Sequence, residues 1–567
     1  MVRSVVRGRG GGWVTWAVRA SAAALVAGWM PAAVGAQSAD AYMDYEALTS
    51  AVDELADEGD ELARVSSLAR SEGGRDVWLL TLGSESGRAL DQRPALLVVG
   101  NLEANRVAGS HAVLRVAERL LDAYGSDDAV TNMLDTRTVY LIPRANPDGA
   151  ELVFTLPSHE TAYKPYQGNT ARGGLNAREF GRDLDGDGLV TRMRVRSPEG
   201  ELVEREEDPR LLREAMPARE EGGVYEVMAE GIHPDSLDAY VPLGGDGVNL
   251  NLNFQHEYQY FEPHVGPHMV SEVESRALVD FVFEHPNIAA VLTFSAFDNL
   301  RSPTPEDRQP PPAVTGNPPR VPTNLTADDR PYFEYVSERF RELTGLSGEG
   351  APNEGGSFPQ FAYYQMGLPS FTTPVWSPPA GSEPVDARWL ALFDSVGVDG
   401  YVDWRPATHP QLGEVEVGGF APNARVNPPA SELDGLLDRH AEFALWLGNR
   451  LPEVEVVDVE VEARGQGVWR ITATLANEAY FPTQLDLAER IRFNRPINVR
   501  LVPNDDLDLL SDDMQHQIPR IEGMGGRAEF SWLVTGEPGV SAAIEVFAER
   551  AGGSITVPVT LGGGEDR

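Results

Sequence analysis

The sequence predicts an α/β fold, a mixed, largely parallel sheet flanked by helices, followed by an all-β sandwich. Three observations point there. Short, wholly apolar runs recur between residues 42 and 450, as buried strands require. Amphipathic stretches with apolar residues at i, i+3 and i+4 separate those runs, so strands alternate with helices. Beyond Pro452 the texture changes to short alternating segments with turns between them.

Taken in order, Ala95–Gly100 (ALLVVG), Thr138–Pro143 (TVYLIP), Ala290–Phe294 and Pro369–Thr373 read as buried strands. Val107–Leu121, Ser271–Glu284, Pro331–Leu343 and Glu432–Leu451 read as helices. Pro303–Pro322 holds eight prolines and reads as a surface loop. Val454–Val461, Trp469–Thr474, Ile497–Val502, Ala528–Val534 and Ile555–Leu561 supply the sandwich strands, with Trp469 expected in its core. The expected organisation is a signal peptide over residues 1–36, an α/β domain over 37–450 and a β-sandwich over 451–567.

The N-terminus carries Arg3, Arg7 and Arg9, an apolar stretch around Ala20–Met30, and small residues ending at Ala36. That is the layout of an export signal, cut before Gln37. Its apolar core is shorter than the roughly 20 residues that span a bilayer, and no later segment reaches that length. The mature chain is therefore expected to be periplasmic or extracellular, without a membrane span. The 567 residues contain no cysteine, which excludes thiol nucleophiles and Cys-zinc sites. A formal net charge of -40 repels phosphate backbones and argues against nucleic acid as a partner. Of 47 basic residues, Lys164 is the single lysine. There is no phosphate loop of the G-x-x-x-x-G-K-S/T type and no G-x-S-x-G elbow.

Five stretches carry a resemblance. Gly100-Asn-Leu-Glu-Ala-Asn-Arg-Val-Ala-Gly109 follows the first predicted strand, and Asn146-Pro-Asp-Gly149 follows the second. Gly247-Val-Asn-Leu-Asn-Leu-Asn-Phe254, Leu292-Thr-Phe-Ser-Ala-Phe297 and Gly367-Leu-Pro-Ser-Phe-Thr-Thr-Pro-Val375 come after them. In order and spacing these resemble the carboxypeptidase A type of zinc metallopeptidase, which writes the same stretches as GN-x-HGNE-x-x-G, NPDG, GVDLNRNF, LTFH and G-x-P-x-F-T-x-E-L. The resemblance implies a carboxypeptidase-like fold over roughly Tyr42–Arg450 and, in the family, a zinc ion that activates water for peptide hydrolysis.

The chemistry-bearing positions implied by that resemblance are substituted. The former zinc positions hold Glu103, Arg106 and Ser295. A guanidinium has five donors and no acceptor, so Arg106 cannot ligate a cation. The family's carboxylate-gripping arginine corresponds to Leu252, beside a retained Asn251 in the cleft. Its mobile tyrosine falls near Ala351, and its general-base glutamate corresponds to Pro374. None of the ten histidines begins an H-x-x-E or H-E-x-x-H motif. His264 and His268 stand four apart, but Gly266 and Pro267 oppose a helix between them. Ser271-Glu-Val-Glu274 reads as a capping box. Glu103 and Arg106, three apart on one turn, are expected to form a local ion pair.

Asp183-Leu-Asp185-Gly-Asp187-Gly188 follows D-x-D-x-D-G, the start of a calcium loop. Position twelve is Arg194, so a remote acid such as Glu199 or Glu201 has to complete the shell. An acidic Asx turn is the competing reading.

Three functions stand open. The leading one is an exported, catalytically inactive member of the fold that binds peptide, cell-wall or protein ligands without zinc. The others are an active metallocarboxypeptidase with a non-standard metal site, and a hydrolase using Glu103 and Asp298 around a harder cation.

Overall fold

A computed structural model describes residues 41–165, 181–216, 225–232, 247–302, 323–492, 494–511 and 513–562. The expected signal peptide and the Pro303–Pro322 loop lie outside them. The central sheet has six strands in the order Ala63–Arg70, Asp76–Leu82, Thr138–Ile142, Ala95–Gly100, Ile288–Phe294, Ser370–Thr373. The last four run parallel to one another; Asp76–Leu82 pairs antiparallel with Thr138–Ile142, and Ala63–Arg70 pairs antiparallel with Asp76–Leu82. The mixed, largely parallel sheet expected from the sequence is present.

The run ALLVVG is apolar throughout because both faces of its strand are covered. Leu96 and Val98 enter one core with Val113, Leu120, Phe340 and Leu437 from the helices Ala108–Ala123, Arg330–Thr344 and Ala430–Gly448. Leu97 and Val99 point the other way, into a second core with Phe254, Leu278, Phe281 and Phe358. A period of two therefore divides one continuous run between two interiors. Each fully buried Leu or Val contributes roughly 1.5–3 kcal/mol, so the strand that precedes Glu103 is firmly anchored.

The strand ends in a turn with no room to spare. A Cβ on Gly100 would lie 2.5 Å from the Gly109 carbonyl oxygen and 2.7 Å from that of Pro143. Asn101 follows at φ +55°, the left-handed region that Asn tolerates better than most residues. The chain then turns into the Ala108–Ala123 helix, and Glu103 and Arg106 lie on that turn. Ser295 and Pro374 lie directly beyond two other parallel strands. All four thus sit at the carboxyl ends of the parallel strands, where α/β sheets hold their ligands.

A third sheet was not foreseen from the sequence. It is antiparallel, in the order Tyr401–His409, Gly413–Phe420, Arg192–Arg196, Tyr225–Ala229, Leu202–Glu204, Leu212–Glu214. Its small core is Met193, Val415 and Val417. Charged residues alternate with few apolar ones along these strands, so no apolar run announces them.

The C-terminal region forms two four-stranded sheets around Ile471, Leu475, Val499, Leu501, Trp532 and Ile544. The strands Gln515–Ile518 and Ser541–Ala548 add to those read from the sequence. Trp469 packs against this core and donates from Nε1 to the Gly536 carbonyl at 3.0 Å. Phe481, Leu485 and Leu487, although later in sequence than Pro452, pack into the first core of the α/β domain. Asp329 joins the regions: its Oδ1 accepts from the Asp486 amide at 2.7 Å and its Oδ2 from Leu487 and from the Tyr363 hydroxyl. These are the orphan amides at the start of the Asp486–Ile491 helix, which lacks a local side-chain cap.

Candidate functional site

Glu103 is buried to 1% exposure. Its Oε1 accepts from the Asn251 side-chain amide at 2.8 Å and from the Ala296 backbone amide at 3.0 Å. Its Oε2 is buried without a hydrogen-bond partner. Asn251 is fully enclosed, and its other side-chain atom, Oδ1, accepts from the Phe358 amide at 2.9 Å. Asn251 therefore ties the Glu103 turn to the segment that begins at Phe358.

Ser295, which the sequence resemblance sets at the family's third metal position, is also committed. Its hydroxyl pairs with the Thr372 hydroxyl at 2.8 Å and accepts from the Phe297 amide at 3.1 Å. Its own amide donates to the Thr373 carbonyl. Leu252 is half-buried and Pro374 buried, while Ala351 is exposed and uses its carbonyl to accept from the Asp298 amide at 2.8 Å.

The expected ion pair does not form. The Arg106 amide donates to the Glu103 carbonyl at 3.1 Å, which closes the turn. Among the described residues, however, no side-chain hydrogen bond or ion pair reaches the Arg106 guanidinium. The physical reason is that Glu103 Oε1 is held by Asn251 and Ala296 instead. Burial pulls the Arg106 pKa below its ordinary value, and the charges of Glu103 and Glu160 oppose that shift only in part. Arg106 stays half-buried.

These residues do not fit zinc. One carboxylate, one guanidinium and one engaged hydroxyl cannot make a three-ligand shell. Asp298 offers no substitute, because its Oδ1 caps the Leu300 and Arg301 amides and its Oδ2 pairs with Arg301 Nε. His264 stacks on Tyr163 with centroids 3.9 Å apart, and His268 Nδ1 lies 3.0 Å from the Met269 carbonyl.

Among the described residues, Asp183, Asp185 and Asp187 are the only trio of His, Cys, Asp or Glu side chains close enough to share an ion, with ligand atoms within 4.8 Å. Asp183 caps the Gly186 and Gly188 amides at 2.6 and 2.9 Å. Arg405 reaches in from the Tyr401–His409 strand, with Nε 2.6 Å from Asp185 and Nη2 against Asp187. A guanidinium thus neutralises the loop. Burial raises the Asp187 pKa. The remote acid is not Glu199 or Glu201, both exposed. The carboxylate that serves this loop is buried Glu230, which accepts from the Leu184 amide at 2.7 Å and the Thr191 amide at 2.9 Å. Its backbone role was invisible in the sequence because 46 residues separate it from Leu184.

The capping box at Ser271–Glu274 is replaced by a different bond set. Glu272 occupies the N-cap position without a side-chain cap. Ser271 donates to Glu272, and both Glu272 and Glu274 hold Lys164 Nζ at 2.8 Å. The buried lysine draws Glu274 away from the helix start.

The sequence model of the zinc carboxypeptidase family matches residues 48–373. The chain belongs to that family. A second match, to a domain of unknown function, covers residues 453–557. Among characterised relatives, the zinc carboxypeptidase of Saccharothrix mutabilis subsp. capreolus is 27% identical over 135 residues, 24% of this chain and 31% of that protein. Carboxypeptidase D of Drosophila melanogaster is 31% identical over 91 residues, 16% of this chain and 6% of its own length. The chain thus spans less than a third of either relative. Of solved structures, carboxypeptidase A from Helicoverpa armigera covers 71% of this chain and 74% of its own at 13% identity, with a TM-score of 0.38. The metallo-carboxypeptidase from Burkholderia cenocepacia covers 71% and 68% at 12% identity, with a TM-score of 0.33.

Proposed function

We propose that this zinc carboxypeptidase family member is exported, binds no zinc at the family's site and hydrolyses no peptide, and that it works by binding a peptide or protein ligand in the inherited cleft. The observation that carries the reading is Arg106. A guanidinium at a position where the family has a metal ligand can neither donate a lone pair nor tolerate a divalent cation beside it. The bond between Ser295 and Thr372 supports it, since it uses the hydroxyl at the third position.

An active enzyme with a non-standard metal site is the competing reading. It lacks support because both Asp298 oxygens and Glu103 Oε1 already accept from backbone and side-chain donors, which leaves one free carboxylate oxygen where a metal needs at least three ligands. Export rests on the charged and apolar N-terminal segment. No described helix is long and apolar enough to cross a membrane.

Elemental analysis of the dialysed full-length mature chain, paired with an assay on peptides with free C-termini, tests the proposal. Negligible zinc and manganese with no released amino acid is the expected result. Near-stoichiometric zinc, lost on chelation together with peptidase activity, overturns it.

A further inference from the structure

Arg550 stands in the turn after the strand Ser541–Ala548 and is 8% exposed. Its Nη2 donates to the Met366 carbonyl at 2.9 Å and its Nη1 to that of Gly367 at 3.4 Å, which ties the sandwich to the α/β domain. Its Nε is buried and, among the described residues, has no partner. The other buried arginines there are provided for. Arg137, Arg144, Arg194 and Arg301 each meet a carboxylate, and Arg93 gives Nε, Nη1 and Nη2 to four carbonyls. Arg550 alone among them meets no carboxylate and leaves Nε free. A guanidinium buried in this way costs free energy until an anion or an acceptor reaches it. Burial lowers its pKa to about 10, and the charge of Glu549 opposes that shift.

Beside Arg550 lies a partly open cavity of about 20 Å³, lined also by Asn494, Arg495 and Glu549. Both polar atoms of the Asn494 side chain, Oδ1 and Nδ2, are buried without a partner. Asn494 sits between the helix Asp486–Ile491 and the strand Ile497–Pro503, and it borders a wider surface depression that reaches Arg490 and Arg492. The lining of the cavity sets two arginines against one carboxylate, Glu549, which stands 4.0 Å from Arg495. A cation is therefore repelled. An anion accepts from Arg550 Nε and from the Asn494 amide, and it also neutralises the guanidinium. A water needs roughly 10–15 Å³ of such space, so about 20 Å³ admits one monoatomic anion and no tetrahedral oxyanion.

We propose that this cavity binds one chloride ion, with Arg550 Nε and Asn494 Nδ2 donating to it, and that the ion fastens the sandwich to the α/β domain. Neither polar atom of Asn494 is engaged, so its amide turns Nδ2 towards the ion without breaking a described bond. The ion completes the one free donor of a guanidinium whose other end already holds the Met366 and Gly367 carbonyls. The site shares no residue with the inherited cleft.

The test is the chloride NMR linewidth of the full-length mature chain, with gluconate, too large for the cavity, replacing chloride at constant sodium. The wild type is expected to broaden the chloride line saturably, with bromide relieving the broadening. Its melting temperature is expected to rise by about 2 °C as chloride replaces gluconate. Asn494→Leu removes the amide and is expected to weaken chloride binding about ten-fold and to lose the temperature response. Arg550→Met is expected to do the same. It also removes the bonds to Met366 and Gly367, so Asn494→Leu decides alone should Arg550→Met not fold. Arg500→Gln, on a sandwich strand, is expected to bind as wild type. Broadening that bromide does not relieve, or equal broadening by Asn494→Leu, overturns the site. So does a wild type indifferent to chloride in both measurements, a result that assigns the cavity to a water.

Discussion

The Asn251 amide and the Glu103 carboxylate, 148 residues apart in sequence, meet at 2.8 Å in an interior closed to water. The same Asn251 accepts from the Phe358 amide. Replacing it by Leu leaves that amide unpaired and Glu103 Oε1 with one donor. The expected loss is about 2–4 kcal/mol of unfolding free energy, measured by urea denaturation with the slope unchanged.

Arg106 contributes nothing comparable. With no described partner for its guanidinium, Arg106→Met keeps the aliphatic stem and removes a partly desolvated charge. The variant is expected to be as stable as the wild type or more so. A melting temperature lowered by several degrees would show that a partner holds the guanidinium after all.

Lys164 is 2% exposed and sits between Glu272 and Glu274. Burial lowers the ammonium pKa, the two carboxylates raise it by more, and the net direction is upward. Burial raises Glu274, which Lys164 holds back only in part. Lys164→Met strands two carboxylates in the interior and is expected to cost about 3–5 kcal/mol at neutral pH. The deficit is expected to shrink as acid protonates Glu274, and adding Glu272→Gln and Glu274→Gln is expected to recover most of it. Thermal unfolding between pH 5 and 7.5 gives the comparison.

Two buried histidines set part of the acid response. Burial, followed by Arg144 and Arg115, lowers His111 to about 4, and burial lowers His440 to about 4. Both favour the neutral form when folded, so between about 4 and the ordinary 6.5 the unfolded chain binds more protons. Their contribution is complete above pH 6.5 and is lost as pH falls towards 4. His440→Asn is expected to flatten the slope of stability against pH in that window, whatever it costs at pH 7.

Arg405 fills the acidic loop, so calcium must displace it or find the loop closed. Arg405→Ala leaves Asp183, Asp185 and Asp187 facing one another and is expected to make the melting temperature rise on adding millimolar calcium. The wild type is expected to respond less. An equal, saturable rise in both would mean that calcium binds without moving the guanidinium.

The sequence by itself determined the alternation of strands and helices, the sandwich strands and the family turns, because each is a local matter of apolar period and turn chemistry. Arg106, Ser295 and Pro374 were likewise legible there as the residues that the resemblance sets at the family's chemical positions, since these are identities and not geometries. Polar partnership was decided by tertiary structure. Glu103 bonds Asn251 instead of Arg106, Glu274 bonds Lys164 instead of capping its own helix, and Arg405 crosses from a hairpin to the Asp185 loop. In each case a distant group reaches the acid in the folded chain, and burial makes such a bond worth more than a local one exposed to water. The antiparallel sheet escaped notice for a related reason: its strands are held by pairing across more than two hundred residues, Gly413–Phe420 against Arg192–Arg196, and by a core of few side chains.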